Sequence, residues 1–201
     1  MKTTLFTIIA ASIATLSSSA FASTTYTSLP AIGSFNKIEV HGNVEVVVAN
    51  GEKTNVQVTN DFYAENAVVQ NNEGTLRIAS YNNEKLTVYV TANNLSSIEA
   101  FDNATVKSDG RLSAIQMEVS LHNDAYAALN LDSFAAELTV DNNAKADLTG
   151  NVTEYAFNHT ASAVINQKGL VAENRTEKLI IPAVVKAAAQ NNNDDLLTIA
   201  D

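Results

Sequence analysis

From Phe35 onward apolar and polar side chains alternate with a period of two, the spacing that puts every second side chain on one face of a β-strand. Ile38 and Val40 begin the series, and Val44, Val46 and Val48 extend it. Val56 and Val58, Leu76 and Ile78, and Leu86, Val88 and Val90 carry it on, with Asn50-Gly51 and Asn82-Asn83 between runs. The pattern predicts five or six short strands over 35–91. Asn50-Gly51, flanked by apolar runs, predicts a hairpin. No helical stripe precedes residue 183. Ala183 to Gln190, just after Pro182, predicts a short helix, with Asn191 to Asp195 as a polar loop or tail.

Over about 95–176 the alternation becomes an internal repeat. Aligned on Ala104, Ala125, Ala144 and Ala161, the chain places Ile98, Val119, Leu138 and Tyr155 six positions earlier. Ala100, Leu121, Val140 and Phe157 stand four earlier, and Asp102, Asn123, Asn142 and His159 two earlier. Two positions after the alanine come Val106, Ala127, Ala146 and Ala163, and a degraded fifth copy follows with Leu170, Ala172 and Asn174. An inward pair, a polar corner and a small residue at a tight turn, recurring about every twenty residues, describe a solenoid whose turns bury a common core. Stacked turns would lie about 4.8 Å apart, lining each column up into a ladder. One turn buries two larger apolar side chains, at about 1.5–3 kcal/mol each, against about 1–2 kcal/mol per residue of backbone ordering. A single copy therefore cannot fold alone. The expectation is an all-β fold: a parallel β-helix-like stack of short strands, with the 35–91 strands capping one end and the short helix or tail at the other. An antiparallel sandwich with coincidental spacing is the alternative.

The first residues bear on the compartment. Lys2, the apolar run Leu5 to Leu16 and the small-residue site Ser19-Ala20-Phe21-Ala22 have the layout of a secretory signal peptide cleaved before Ser23. The predicted organisation is a signal peptide over 1–22, a short segment over 23–34, one solenoid domain over 35–181 and a tail over 182–201. The chain has no Cys, so lipid anchoring through a cysteine and disulfide stapling are both excluded. It carries 12 basic against 22 acidic side chains, a net charge of −10, and cleavage would remove Lys2 and no acid. Such a surface repels nucleic acid and anionic lipid. No membrane insertion is expected after cleavage, since no second apolar stretch is long enough. The 24 Asn residues against 7 Gly and 2 Pro assign the turns to Asn, which tolerates left-handed backbone.

These residues resemble a family. Phe35-Asn36-Lys37-Ile38-Glu39-Val40-His41-Gly42-Asn43-Val44-Glu45-Val46, the strand Leu76-Arg77-Ile78 and the strand Leu86-Thr87-Val88-Tyr89-Val90 look like the opening of the "putative auto-transporter adhesin, head GIN domain" family. The later units resemble that family's small-residue corners, with Asp-Asn-Ala, Asn-Asp-Ala, Asn-Asn-Ala and His-Thr-Ala where Ser-Gly-Ala is usual. The resemblance spans about residues 33–176. It implies an extracytoplasmic β-solenoid of a Gram-negative-type bacterium, periplasmic, secreted or at the cell surface. It carries over no functional residues.

Candidate chemistry is sparse. His41, His122 and His159 do not form an H-E-x-x-H metal site, and no nucleophile elbow, P-loop, dinucleotide fingerprint or calcium nonapeptide occurs. In the aligned repeat His122 shares a column with Phe101, Asp141 and Asn158, so a stacked His122–Asp141 corner would hold a metal or a sugar hydroxyl, or simply face solvent. Acid pairs such as Asp61 with Glu65, and Asp194-Asp195, fall in predicted loops. The reading is a non-catalytic binding or adhesion-like module that needs no cofactor or metal, with an unspecified protein or glycan partner and no nucleic acid. Its candidate binding residues are the corner positions Asn103, Asn123, Asn142 and His159, with Tyr126 as an exposed aromatic contact. The alternative is a carbohydrate-active β-helix enzyme, a polysaccharide hydrolase or lyase.

Overall fold

A computed structural model describes residues 26–29, 32–59 and 67–181. The signal peptide over 1–22 and the helix over 183–190 lie outside these residues. β1 (Thr27–Ser28) precedes β2 (Lys37–Gly42), β3 (Val44–Asn50), β4 (Asn55–Val58), β5 (Ala67–Asn72), β6 (Thr75–Ser80) and β7 (Leu86–Ala92). β8 (Ser97–Ala100) opens the repeated half, followed by β9 (Thr105–Leu121), β10 (Tyr126–Val140), β11 (Lys145–His159) and β12 (Val164–Leu179). All twelve belong to one sheet, open at its edges and curled on itself. Among the described residues there is no α-helix.

The curl follows from β9. Its first residues pair in parallel with β3 (Thr105 with Glu45), and its last with β8 (Leu121 with Ala100). β10, β11 and β12 then follow it around, each pairing in parallel with the one before. Thr105, Tyr126, Lys145 and Val164 share one position, as do Val119, Leu138 and Phe157. The repeats therefore pair in parallel, which removes the antiparallel sandwich. Where short strands were expected, runs of 15 to 17 residues bend without breaking the ladder.

Alternation places the core. Ile38, Val40, Leu76, Ile78, Ile98, Ala100, Val119, Leu121, Leu138 and Val140 all point inward and are buried. The fourth copy is shifted from the expected alignment by two residues. Phe157, not Tyr155, follows Leu138; His159, not Phe157, follows Val140; and Ala163, not Ala161, continues the alanine column. The fifth copy does not fall in those columns: Leu170 pairs with Gly150, Ala172 with Val152 and Asn174 with Glu154, where Tyr155, Phe157 and His159 were expected.

The N-terminal half is not laid down in chain order. β2 lies between β6 and β8, and β3 between β7 and β9, so the first strands are central and the later β6 and β7 flank them on the outside. Antiparallel β4 and β5 close the outer edges against β7 and β6, with β1 on β4. The hairpin expected at Asn50-Gly51 does not form, because β7 inserts between β3 and β4 and pairs with both. A tight hairpin forms instead between β5 and β6, where Glu73 and Gly74 both take positive φ (50° and 82°).

At the opposite end, among the described residues, β12 pairs only with β11. There Arg175 lies over the rings of Phe157 (4.9 Å) and Tyr155 (5.8 Å), a cation–π lid on the last core layer. Gln167 Nε2 donates to the Tyr155 hydroxyl at 3.0 Å. Burial pushes the Tyr155 hydroxyl far above its usual value, Arg175 pulling the other way and Glu177 adding to the rise. The neutral phenol is thus favoured in the folded chain. Its contribution is present below about pH 10, where an unfolded tyrosine ionises, and is lost as pH rises toward the raised folded value. Urea melts between about pH 9 and pH 11 should show stability falling with pH, and falling less steeply in Tyr155→Phe. Equal slopes in the two proteins would contradict this.

Candidate functional site

Four successive turns form a ridge along one corner. Phe101–Ala104, His122–Ala125, Asp141–Ala144 and Thr160–Ala163 each close with the fourth N–H donating to the first carbonyl, at 3.1 to 3.2 Å. Ala104, Ala125 and Ala144 are buried, and Ala163 is partly buried against the core. The second residue of the first three turns is left-handed: Asp102 (φ 58°), Asn123 (φ 62°) and Asn142 (φ 54°). Asp and Asn are the non-glycine residues that enter this region at least cost. In the fourth turn the position passes to Ala161, which has no positive φ.

The left-handed residues form a hydrogen-bonded ladder. Asn142 Nδ2 donates to Asn123 Oδ1 (3.2 Å), Asn123 Nδ2 donates to Asp102 Oδ1 (3.2 Å), and the Tyr81 hydroxyl donates to Asp102 Oδ2 (3.3 Å). Tyr81 is 73% exposed. One step along each turn stand Asn103, Asp124 and Asn143, all exposed, with the N–H groups of Asp124 and Asn143 donating to the carbonyls of Asp102 and Asn123. Asn103 thus belongs to this outer row, and Asp102 takes the place beside Asn123 and Asn142.

One position earlier runs an aromatic stack. The His41 and Phe101 rings lie 4.4 Å apart and nearly parallel, and Phe101 lies 4.6 Å from His122. His122 Nδ1 stands 2.8 Å from Asp141 Oδ2, so the expected His122–Asp141 juxtaposition is present. Thr160, not Asn158, continues the row after Asp141. Carboxylates line its flank: Glu39 is 2.9 Å from His41 Nε2 and 3.4 Å from Arg77 Nε, and Glu99 pairs with Lys37 and lies 3.7 Å from His122 Nε2. Lys37 and Arg77 are the cations that pair with these carboxylates. Among the described residues no group of three or more metal-binding side chains converges.

Two candidate residues sit elsewhere. Tyr126 is half-buried, not an exposed contact, and its hydroxyl donates to Asp147 Oδ2 at 2.6 Å. That bond, then burial and the Asp147 charge, raise its pKa. His159 is off the ridge by the two-residue shift. It faces Glu177 (Nε2 to Oε1, 3.0 Å) and stacks at 5.2 Å on Phe157, in the wall of the recess at the β12 end. The ridge thus gathers Asn103, Asn123 and Asn142 but not Tyr126 or His159. It adds Asp102, which the aligned repeat already sets in the column of Asn123 and Asn142, and Tyr81, which chain distance hides: Tyr81 follows the end of β6, 21 residues before Asp102. The acid pairs Asp61 with Glu65 and Asp194-Asp195 lie outside the described residues.

The family model described as "Putative auto-transporter adhesin, head GIN domain" matches residues 34–180. No curated protein matches the chain. Among solved structures, a putative adhesin from Parabacteroides distasonis is similar at 17% identity, with a TM-score of 0.60 and 77% of each chain covered. A putative lipid binding protein from the same species is similar at 12% identity and TM-score 0.56, over 77% of this chain and 78% of that one. A putative adhesin from Parabacteroides merdae is similar at 13% and 0.52, over 77% of each. At these identities the likeness is one of fold.

Proposed function

The chain belongs to the head GIN domain family, and from that premise we propose that it is a non-enzymatic, exported surface-binding module whose corner ridge meets a protein or glycan partner. The repeated half is read as a β-solenoid, its turns following one another every 19 to 21 residues along the parallel registers. The single observation that carries the function is the paired corner rows. The inner row, Asp102, Asn123 and Asn142, uses its side chains on one another and so fixes the backbone. The outer row, Asn103, Asp124 and Asn143, stands exposed on that fixed backbone, one polar group per turn at about strand spacing. Recognition groups held this way lose little freedom on binding. Extended repetitive surfaces of this kind are how repeat proteins meet partners. The aromatic Tyr81 closes one end of the ridge and supplies the larger contact area that hot spots favour. The descriptions of the family and of its structural neighbours, adhesin and lipid binding, accord with binding in place of turnover.

The test uses the mature protein immobilised against cell-envelope extract and a glycan array. Asn103→Ala combined with Asn143→Ala removes two exposed outer-row groups, so stability should stay within about 0.5 kcal/mol of wild type while retention drops. Unchanged retention would take recognition off the ridge. Polysaccharide cleavage that disappears on changing one carboxylate would overturn the non-enzymatic reading itself.

A further inference from the structure

On a different corner, where β9, β10 and β11 bend, register sets Ile115, Phe134 and Thr153 side by side, since Ser133 pairs with both Ala114 and Val152. Ile115 is 85% exposed and Phe134 60%, two large apolar side chains pointing into solvent at adjacent positions. They border a shallow recess of about 650 Å³ whose other walls include Asn94, Ser113 and Asp132. Asp132 is held by Arg111, whose Nη1 lies 3.3 Å from Oδ2. Ser133, only 8% exposed, lines the same recess, and its hydroxyl is the buried side-chain polar atom left without a partner among the described residues. None of these features takes part in the corner ridge or is needed to close the core.

We propose that this ledge is a second binding site, and that its ligand is a neutral saccharide chain. The chemistry of the lining selects that class. An exposed aromatic ring beside an aliphatic side chain offers a flat apolar platform for the C–H face of a pyranose. Around it stand an amide, hydroxyls and a fixed carboxylate, which suit the alternating donors and acceptors of sugar hydroxyls. Among the described residues no Lys or Arg lines the recess, and the chain carries a net charge of −10, so acidic sugars, phosphates and anionic headgroups are repelled. The volume falls within the range of ligand sites, about 300–1,000 Å³, yet the recess is open, so a chain can lie across it instead of being enclosed.

Calorimetric titration of the folded protein with cellohexaose, mannohexaose, xylohexaose and chitohexaose tests the site, with oligogalacturonate as the acidic comparison. At least one neutral hexaose should bind at millimolar concentration or below, and oligogalacturonate should not. Phe134→Ala should weaken that binding at least about tenfold, the scale of one good contact, and Phe134→Trp should keep it. Phe134 is exposed, so the unfolding midpoint of Phe134→Ala should match wild type. The double change at Asn103 and Asn143 should leave hexaose binding unaltered. No binding of any neutral hexaose, tighter binding of oligogalacturonate, or equal binding by Phe134→Ala would each overturn the inference. Envelope retention surviving in Phe134→Ala would show that the ridge reading stands even where the ledge fails.

Discussion

Leu121→Asp should lower the unfolding free energy by about 4 kcal/mol or more, enough to move the melting point down by roughly 10 °C or abolish folding. Leu121 has no accessible surface, and its strand neighbours in the same inward column are Ala100 on one side and Val140 on the other. A carboxylate there would find no donor and no water. It would have to stay protonated at neutral pH or break the ladder, and both are costly. Leu121→Ala separates the charge from the lost volume, since cavity formation alone costs about 2–5 kcal/mol in well-packed sites. Thr139→Asp, one residue from Val140 but facing outward, should cost little. Equal effects at positions 121 and 139, read by urea or thermal melts, would contradict the alternation.

The second large effect is a backbone one. Gly150 takes φ +107°, and a Cβ placed on it would stand 2.0 Å from the Leu131 carbonyl oxygen of the neighbouring strand. That contact is with main chain held in the ladder, since Leu131 pairs with Gly150. Gly150→Ala should therefore cost about 3 kcal/mol, combining left-side backbone strain with a displaced strand. Gly110 provides the comparison. Its φ is +80°, but a Cβ there meets nothing within 4 Å. Gly110→Ala should show the conformational cost alone, about 1 kcal/mol. Chemical denaturation of the two variants side by side measures the difference, and comparable losses would refute the steric argument.

Much of this was legible in the sequence, for a reason visible in the residues. Ile98, Val119 and Leu138, and Ala100, Leu121 and Val140, line up in space as they do on paper. Each column is a run of apolar residues at even spacing, ending in the same Asx–Ala corner. The fourth copy was misplaced by two residues because a two-residue shift keeps every side chain on its own face. Alternation cannot distinguish Ala161 from Ala163, and Tyr155 and Phe157 are interchangeable by the same rule. His159 entered the candidate site through that shift. Tyr126 was misread because parity shows which way a side chain points, not that Asp147 stands 2.6 Å from its hydroxyl. The order of the N-terminal strands was not legible at all. Whether Ile38 packs beside Leu76, Ile98 or both depends on partner choice between equally apolar strands, and the structure gives it both.

That placement bears on how the chain acquires its structure. β2 and β3 leave the ribosome, or cross the membrane, before any other long strand, yet each needs one neighbour from residues 75–92 and another from residues 97–108. The earliest segment is thus not satisfied on both sides until residue 108 has been made, and every pairing it makes closes a loop of dozens of residues. Loop closure of that length delays folding more than it weakens the product. Beyond β9 each strand finds its partner in the one just made, so assembly there is local and can proceed turn by turn. Neither β2 nor β3 has both neighbours until a little over half of the 201 residues has been made, and the strands after β9 then add one at a time.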